Sequence, residues 1–296
     1  MGLDPVSLKL FISVLEEGTI AAAAEREHIA AAAISKRLSE IEVLLGTQLL
    51  MRSNKGITAT AAGLALLTMA RRVLHELDDI TFQMQEYSSG VRGHVRIFAN
   101  ISAITQFLPA EIKSFLELYP QVNVHLEEKI STFITKAVVE NSADIGIFTM
   151  GPHGHELEIF PYHEDELVLI TPADHPMGGQ TSATLSQTLK FDYVGLHTGS
   201  AINRLLLQKA GDLDLPLKLR IQVTSYDALC LMVNSGLGIA LLPAMVAYHH
   251  QKNLNIRILA LNESWARREL KICVRSFDAL PVAAKLLVTH LQKKAI

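Results

Sequence analysis

Apolar positions along the first ninety residues recur at helical spacing. Leu8, Phe11, Ile12 and Leu15 form one stripe, and Gly18 ends it. Thr19 is placed to cap a second helix, which runs through Ala21-Ala22-Ala23-Ala24 to about Arg26. A short turn at His28 leads to a third, where Ile34, Leu38, Ile41 and Leu45 share a face before Gly46. Three short helices, the last two joined by a tight turn, predict a helix-turn-helix. The period then drops to two. Leu49-Leu50-Met51-Arg52, the turn Ser53-Asn54-Lys55-Gly56 and Ile57-Thr58 predict two short strands, a wing, with Gly56 suited to positive φ.

From about Ala59 to Ser89 the pattern changes again. Leu66, Ala70, Val73, Leu77, Ile80 and Met84 are spaced alternately by four and three residues. That period belongs to a coiled-coil seam rather than to an ordinary amphipathic face. A helix of roughly thirty residues is about 45 Å long. So narrow a seam needs a partner, either the same helix of a second chain or the C-terminal part of its own. Ser88-Ser89-Gly90-Val91-Arg92-Gly93 reads as a hinge.

Beyond the hinge, strands and helices alternate. Val95, Ile97 and Ala99 predict a strand, Leu108 to Tyr119 a helix, Val122, Val124 and Leu126 a strand, Phe133 to Val138 a helix and Ala143 to Phe148 a buried strand. The rhythm restarts with strands at Glu166–Thr171 and Phe191–Leu196, a helix at Ile202–Ala210, a strand at Leu219–Val223, a helix at Tyr226–Asn234, and strands at Ile239–Leu242, Leu254–Leu261 and Leu270–Val274. A last helix covers about Leu280 to Lys293. Such βαβ order implies a mostly parallel sheet, in two similar α/β lobes rather than one large sheet.

Composition narrows this picture. Hydrophobic residues make up 49% of 296, enough for packed cores and too many for long disorder. The net charge of −3 excludes a generally basic polymer binder, so an acidic partner needs a local patch. Two cysteines, Cys230 and Cys273, make no disulfide framework and suit a reducing cytoplasm; each sits in an apolar pattern that favours packing over a redox role. No secretory signal is visible around Asp4 and Pro5, and the longest apolar run, Leu229 to Val246, is broken by polar residues, two glycines and Pro243.

Catalytic chemistry finds no foothold. There is no nucleophile elbow and no P-loop, and Gly236-Leu237-Gly238 lacks the third glycine of a dinucleotide fingerprint. Among twelve histidines, the pairs His153/His155 and His249/His250 lack metal-site spacing with further ligands nearby. Trp265 beside Arg267 and Arg268 suits either a cation–π contact or packing where the chain crosses between lobes. No enzyme, no metal and no cofactor are expected.

The ordered motifs resemble the LysR-type transcriptional regulators. They are Leu8-Lys9-Leu10-Phe11, Glu16-Glu17-Gly18-Thr19, Ala23-Ala24-Glu25, Ala33-Ile34-Ser35-Lys36-Arg37-Leu38, Ile41-Glu42, Leu45-Gly46, Leu49-Leu50-Met51-Arg52, Thr58 and Ala62-Gly63. Leu108-Pro109, Tyr119-Pro120, Asp144-Ile145-Gly146-Ile147, His175-Pro176 and Gly236 to Pro243 look like that family's effector domain. There are departures. Ala31 and Ala32 stand where glutamine and proline are frequent at the start of the reading helix, and Ala22 lacks a frequent basic residue. Alanine touches only a thymine methyl where glutamine would hold adenine by two hydrogen bonds.

The resemblance implies a multi-domain chain: an all-α winged helix-turn-helix over 1–59, a dimerising coiled-coil linker helix over 60–89, a hinge over 90–94 and a two-lobed, periplasmic-binding-protein-like α/β effector domain over 95–296. One lobe is expected at about 95–163 and 267–296, the other at about 164–266. Thr19, Ala31, Ala32, Ser35, Lys36, Ser39, Arg52 and Lys55 are expected to face DNA, with Arg37 either joining them or pairing with Glu40 or Glu42. Glu25, Glu27, Glu40 and Glu42 nearly cancel the local positive charge, so strong binding calls for a homodimer or homotetramer. In open α/β sheets ligands sit at strand ends and helix N-termini. That points to Asn100, Ser102, Thr132, Phe148, Thr149, Thr198, Ser200, Thr224 and Ser225 and to a small organic anion, although each hydroxyl could equally be an ordinary helix cap. A cytoplasmic, effector-controlled regulator with double-stranded DNA, and RNA polymerase through it, as partners and no membrane is the leading reading. A solute-binding protein, an enzyme on the α/β lobes, or a regulator needing no ligand are the alternatives.

Overall fold

The computed structural model describes residues 3–53, 56–89, 91–149 and 157–294. The chain divides into two compact units, Met1–Arg92 with Glu140–Ser142, and Gly93–Val139 with Ala143–Ile296.

The first unit opens with helices α1 (Pro5–Glu17), α2 (Ile20–Glu27) and α3 (Ala31–Leu45). Asp4 caps α1 by accepting the Ser7 N–H at 3.0 Å, with Pro5 in the first turn where its missing N–H costs nothing. Gly18 closes α1 at φ 73°, in the left-handed region that suits glycine. Thr19 Oγ1 then accepts the Ala22 N–H at 3.1 Å, and His28 adopts φ 54° between α2 and α3. Strands β1 (Leu50–Ser53) and β2 (Gly56–Ala59) pair antiparallel, Leu50 opposite Ala59 and Ser53 opposite Gly56. The Ile57 N–H donates to the Gly18 carbonyl at 2.7 Å, tying the wing to the α1–α2 junction.

Helix α4 (Ala61–Ser89) follows. Its apolar period serves two surfaces, which corrects the expectation of one dimer seam. Leu66 (8% exposed) and Ala70 (1%) join the core of Leu8, Leu10, Phe11, Val14, Ile34 and Leu38, whereas Val73 (44%), Leu77 (40%) and Ile80 (57%) face solvent. The first turns of α4 lie against α1, so the stripe is consumed there by the chain's own core. Met84 belongs to the helix, but its side chain lies outside the described residues.

The second unit begins with β3 (Gly93–Ala99), α5 (Ile101–Gln106), α6 (Leu108–Leu118), β4 (Val122–Glu128), α7 (Ser131–Val139) and β5 (Ile145–Phe148). The long strand β6 (Glu158–Pro172) leads to β7 (Ser182–Ala183), α8 (Leu185–Thr188), β8 (Asp192–Leu196), α9 (Ala201–Asp212), β9 (Lys218–Val223), α10 (Tyr226–Asn234), β10 (Ala240–Pro243), α11 (Ala244–Gln251) and β11 (Ile256–Leu261). A 3-10 turn (Ser264–Ala266), β12 (Arg267–Val274) and α12 (Val282–Lys294) complete it.

Two lobes share one strand. The first half of β6 pairs with β12, from Val274 opposite Glu158 to Arg267 opposite Glu166. Its second half, Leu167 to Pro172, pairs with β10 and β11. The main sheet therefore runs β4-β3-β5-β12-β6-β11-β7, with β10 also on β6, rather than stopping at a lobe boundary. In the first lobe β3 is parallel to β4 and β5. In the second, β8 and β9 pair in parallel, and Tyr193 bridges to Ile239 beside β10. The expected strand at Glu166 thus begins at Glu158. Pro161 and the charged residues around it disguise the first half, which the sheet accommodates because it is an edge there. Helix α11 was not foreseen, and β11 starts at Ile256 rather than Leu254.

Candidate functional site

The buried stripe of α3, Ile34, Leu38 and Ile41, faces the helical core. It turns Ala31, Ala32, Lys36 and Ser39 to solvent and leaves Ser35 partly buried. Ala30 precedes α3 without a side-chain cap, so the first N–H groups of α3 stay open to an outside acceptor such as phosphate. Thr19 is exposed; its oxygen serves Ala22 and its hydroxyl hydrogen remains a donor. Arg52 is exposed on β1 and makes no ion pair with a described residue. Lys55 lies outside the described residues.

Arg37 goes elsewhere. It pairs with Asp4 at 3.3 Å and donates to Ser7 Oγ at 2.9 Å, rather than meeting Glu40 or Glu42. Glu42 instead accepts the N–H groups of Leu49 (2.7 Å) and Leu50 (3.1 Å) and so fixes where β1 begins. Glu40 lies 3.9 Å from Lys36, an exposed pair of little strength. Lys9 pairs with Glu27 at 2.6 Å, and Arg26 holds Glu16 and Glu17, each at 3.0 Å. The unit's acids thus occupy Lys9, Arg26 and Arg37, while α3 and β1 keep Lys36 and Arg52 toward solvent.

In the second unit the strand ends meet helix starts. Asn100 caps α5, Oδ1 accepting the Ala103 N–H at 2.9 Å, and its Nδ2 donates to Thr149 Oγ1 at 3.2 Å. Ser200 caps α9 through the Asn203 N–H at 3.2 Å, and Ser225 caps α10 through Ala228 at 3.2 Å. Asn100, Ser102, Lys129, Ser131, His197, Ser200 and Tyr226 line a chamber of about 20 Å³ between the lobes. That is room for about one water. Ser131 Oγ and His197 Nδ1 are buried there with no hydrogen-bond partner among the described residues.

The lobes are latched across this chamber. Ser102 Oγ and the Tyr226 hydroxyl share a hydrogen bond at 3.2 Å. Arg268 Nη2 donates to Ser102 Oγ at 3.2 Å, and its Nε donates to Asp165 Oδ1 at 2.8 Å. Arg268 and Asp165, both buried, lie on β12 and β6 where the chain crosses between lobes. Burial pushes the Tyr226 phenol up to about 12, so it acts as a neutral hydroxyl at physiological pH.

Of the expected cleft residues, Asn100, Ser102 and Ser200 line the chamber, while Thr149 orients Asn100. Thr198 and Thr224 are exposed, and Ser131 rather than Thr132 lines the wall. Phe148 is a correction: 1% exposed, its ring packs with Phe98, Ile134, Val138 and Cys273 in the first lobe's core, because β5 is covered on both faces. Lys129, Ser131, His197 and Tyr226 were missed. The rule that singled out Asn100, one step past a strand, reaches Lys129 and Ser131 once the strand is extended from Leu126 to Glu128.

The remaining candidates have structural roles. No three His, Cys, Asp or Glu side chains among the described residues are grouped to hold a metal, and His250 pairs with Asp227 at 3.2 Å. His153 and His155 lie outside the described residues. Trp265 packs on the second lobe's core and donates to Glu263 at 3.2 Å. Cys230 and Cys273 are free and buried in different clusters, and burial pushes each thiol up to about 12. No helix among the described residues is long and apolar enough to cross a membrane.

A winged helix-turn-helix joined to a two-lobed, periplasmic-binding-like α/β unit defines a ligand-linked DNA-binding regulator. Family models agree. Residues 6–64 match the bacterial regulatory helix-turn-helix protein, lysR family, and residues 88–295 match the LysR substrate binding domain. The chain belongs to the LysR family; it is a DNA-binding transcriptional regulator with an effector domain, not an enzyme. It is 28% identical over 279 residues, 94% of this chain and 88% of the other, to the uncharacterized HTH-type transcriptional regulator YbhD of Escherichia coli. Full-length CbnR, solved with its target DNA, matches with TM-score 0.75 and 22% identity, over 99% of this chain and 100% of that one. The effector binding domain of QuiR, solved with shikimate, matches with TM-score 0.61 and 16% identity, over 69% of this chain and 98% of that one.

Proposed function

We propose that this regulator reads DNA through α3 and the wing, and that a small organic anion held between the lobes controls it. Thr19, Ala31, Ala32, Ser35, Lys36, Ser39, Arg52 and Lys55 form the DNA face, within a DNA-binding domain of residues 1–59. Backbone N–H groups at the open start of α3 and the two cations Lys36 and Arg52 supply phosphate contacts. Paired alanines supply only apolar base contacts, so sequence choice rests on few groups and on DNA shape. Residues 60–89 link the domains and pair two copies through Val73, Leu77 and Ile80, the exposed part of α4. The protein works in the cytoplasm, where its DNA is.

One observation carries the anion reading: the starts of α5, α7 and α9 all border one interlobe chamber, with Lys129 and a Ser131 Oγ that has no hydrogen-bond partner among the described residues beside them. Helix N-termini favour negative charge. The shikimate complex of QuiR supports a small acid as the class of ligand. Binding opens the chamber and resets the lobe angle, which alters the spacing of the DNA heads and the contact with RNA polymerase. Calorimetric titration of the full-length protein with a panel of small carboxylates is the test, run beside footprinting on its own upstream DNA. A carboxylate should bind, lose affinity in Lys129→Ala, and change the footprint. Binding that leaves the footprint and transcription unchanged would sink the reading.

A further inference from the structure

The interlobe chamber is short of positive charge for an anion. Lys129 is the only lysine or arginine among its described lining residues, and Glu128 lines it too. Lys129 is itself engaged. Its ammonium pairs with Glu127 at 2.7 Å and stands 5.5 and 5.7 Å from the ring centres of Phe98 and Phe133. A second charge lies behind the wall. Arg268 is 7% exposed and is not a lining residue, but its Nη2 donates to Ser102 Oγ at 3.2 Å, and Ser102 lines the chamber. Asp165, also buried, accepts from Arg268 Nε at 2.8 Å and from Nη2. A buried ion pair adds little or no net stability, because desolvation of both charges offsets their attraction. Here the positive member of the pair is the one bonded to a chamber hydroxyl.

The hydrogens at this junction can be counted. The Ser102 and Tyr226 hydroxyls share one hydrogen bond at 3.2 Å, and both residues line the chamber. Arg268 is a fixed donor and accepts nothing, so it always occupies a lone pair of Ser102 Oγ. If Tyr226 donates to Ser102, the Ser102 hydrogen is left over. If Ser102 donates to Tyr226, the Tyr226 hydrogen is left over. In both arrangements one hydroxyl hydrogen has no acceptor among the described residues. The junction therefore offers a donor, polarised by a buried cation, and calls for an acceptor.

We propose that Arg268 is a positioning residue for the effector: it holds the Ser102–Tyr226 pair as a net donor and projects its charge through Ser102 Oγ onto an anion in the chamber, while Asp165 limits how much of that charge the anion feels. The proposal rests on the anion reading of the chamber and deepens it by naming the source of the charge. A carboxylate that takes the spare hydrogen is favoured over a neutral acceptor of the same shape. The discrimination comes from a guanidinium that the ligand does not touch.

The test is calorimetric titration of the full-length protein with acetate, lactate and benzoate, each against its primary amide, which keeps the shape and removes the charge. The readout is the ratio of carboxylate to amide affinity, which general damage to the chamber does not move. Asp165→Asn leaves Arg268 unneutralised and should raise the ratio about tenfold above the parent's. Arg268→Gln combined with Asp165→Asn keeps polar groups at both positions but removes both charges, and should lower the ratio about tenfold below the parent's. A purely structural role for the pair would not move the ratio in opposite directions. Thermal unfolding reports whether each variant is folded, and the double variant, which buries no unpaired charge, decides the matter if Asp165→Asn alone does not fold. A ratio unchanged in the double variant, or moved the same way in both folded variants, overturns this proposal and leaves the anion reading in place. No carboxylate binding by the parent protein overturns both.

Discussion

At the scale of single residues, the first unit depends on a few backbone contacts. A Cβ at Gly63 would lie 2.1 Å from the Leu49 carbonyl oxygen, since α4 starts hard against the chain entering β1. Gly63→Ala should destabilise this unit by about 3 kcal/mol, read from its denaturation midpoint. Asp4 is a second such point. Hydrogen bonds from the Ser7 side chain and backbone, then the Arg37 charge, hold its carboxyl below the usual carboxylate range. Its contribution is therefore complete above that range and is lost as pH falls through its lowered folded value. Asp4→Ala should cost about 1 kcal/mol at neutral pH. The gap from the parent protein should close in acid; a gap of constant size from neutral pH to strong acid would contradict the assignment.

At the scale of elements, α4 tests how one apolar period is divided. Leu66→Ala should cost about 2–3 kcal/mol of unit stability, because the side chain is in the core. Val73→Asp with Leu77→Asp should leave that stability nearly intact, since both positions are exposed in one chain. It should instead reduce the assembly to monomer in sedimentation and weaken DNA binding by about a hundredfold, as the second head loses its intramolecular advantage. A double variant that still sediments as the parent does would place the interface elsewhere. The seam was legible as a period, but the division was not. A heptad stripe records that a face is apolar, and only the fold of α1 onto α4 decides which turns find their partner within the chain.

At the scale of the whole molecule, the lobes hinge on two strands, β6 and β12, with the Arg268–Asp165 pair buried where they cross. Removing one partner of a buried pair leaves the other charge unsatisfied. Arg268→Met should destabilise the second unit by about 3–5 kcal/mol. In calorimetry the transition of that unit should fall in temperature while that of residues up to Arg92 stays in place, since the two are separate compact units. A common fall of both transitions would mean that the units unfold as one.

The order of helices, the wing, the long α4 and the strand–helix alternation were legible along the chain, because periodicity, caps and turn residues act between neighbours. So were Asn100, Ser102 and Ser200, since a polar residue between a strand and a helix start is a local signal. Which residues meet across distance followed from packing between remote segments. Arg37 finds Asp4 instead of the nearer glutamates, and Phe148 turns into a core instead of the cleft. The strand at Glu158–Pro172 serves both lobes through a proline-bearing edge, and Tyr226 crosses to Ser102. The helix-turn-helix was readable because its contacts are short in sequence. The cleft was only half readable because its walls come from segments a hundred residues apart, joined by packing that no local pattern encodes.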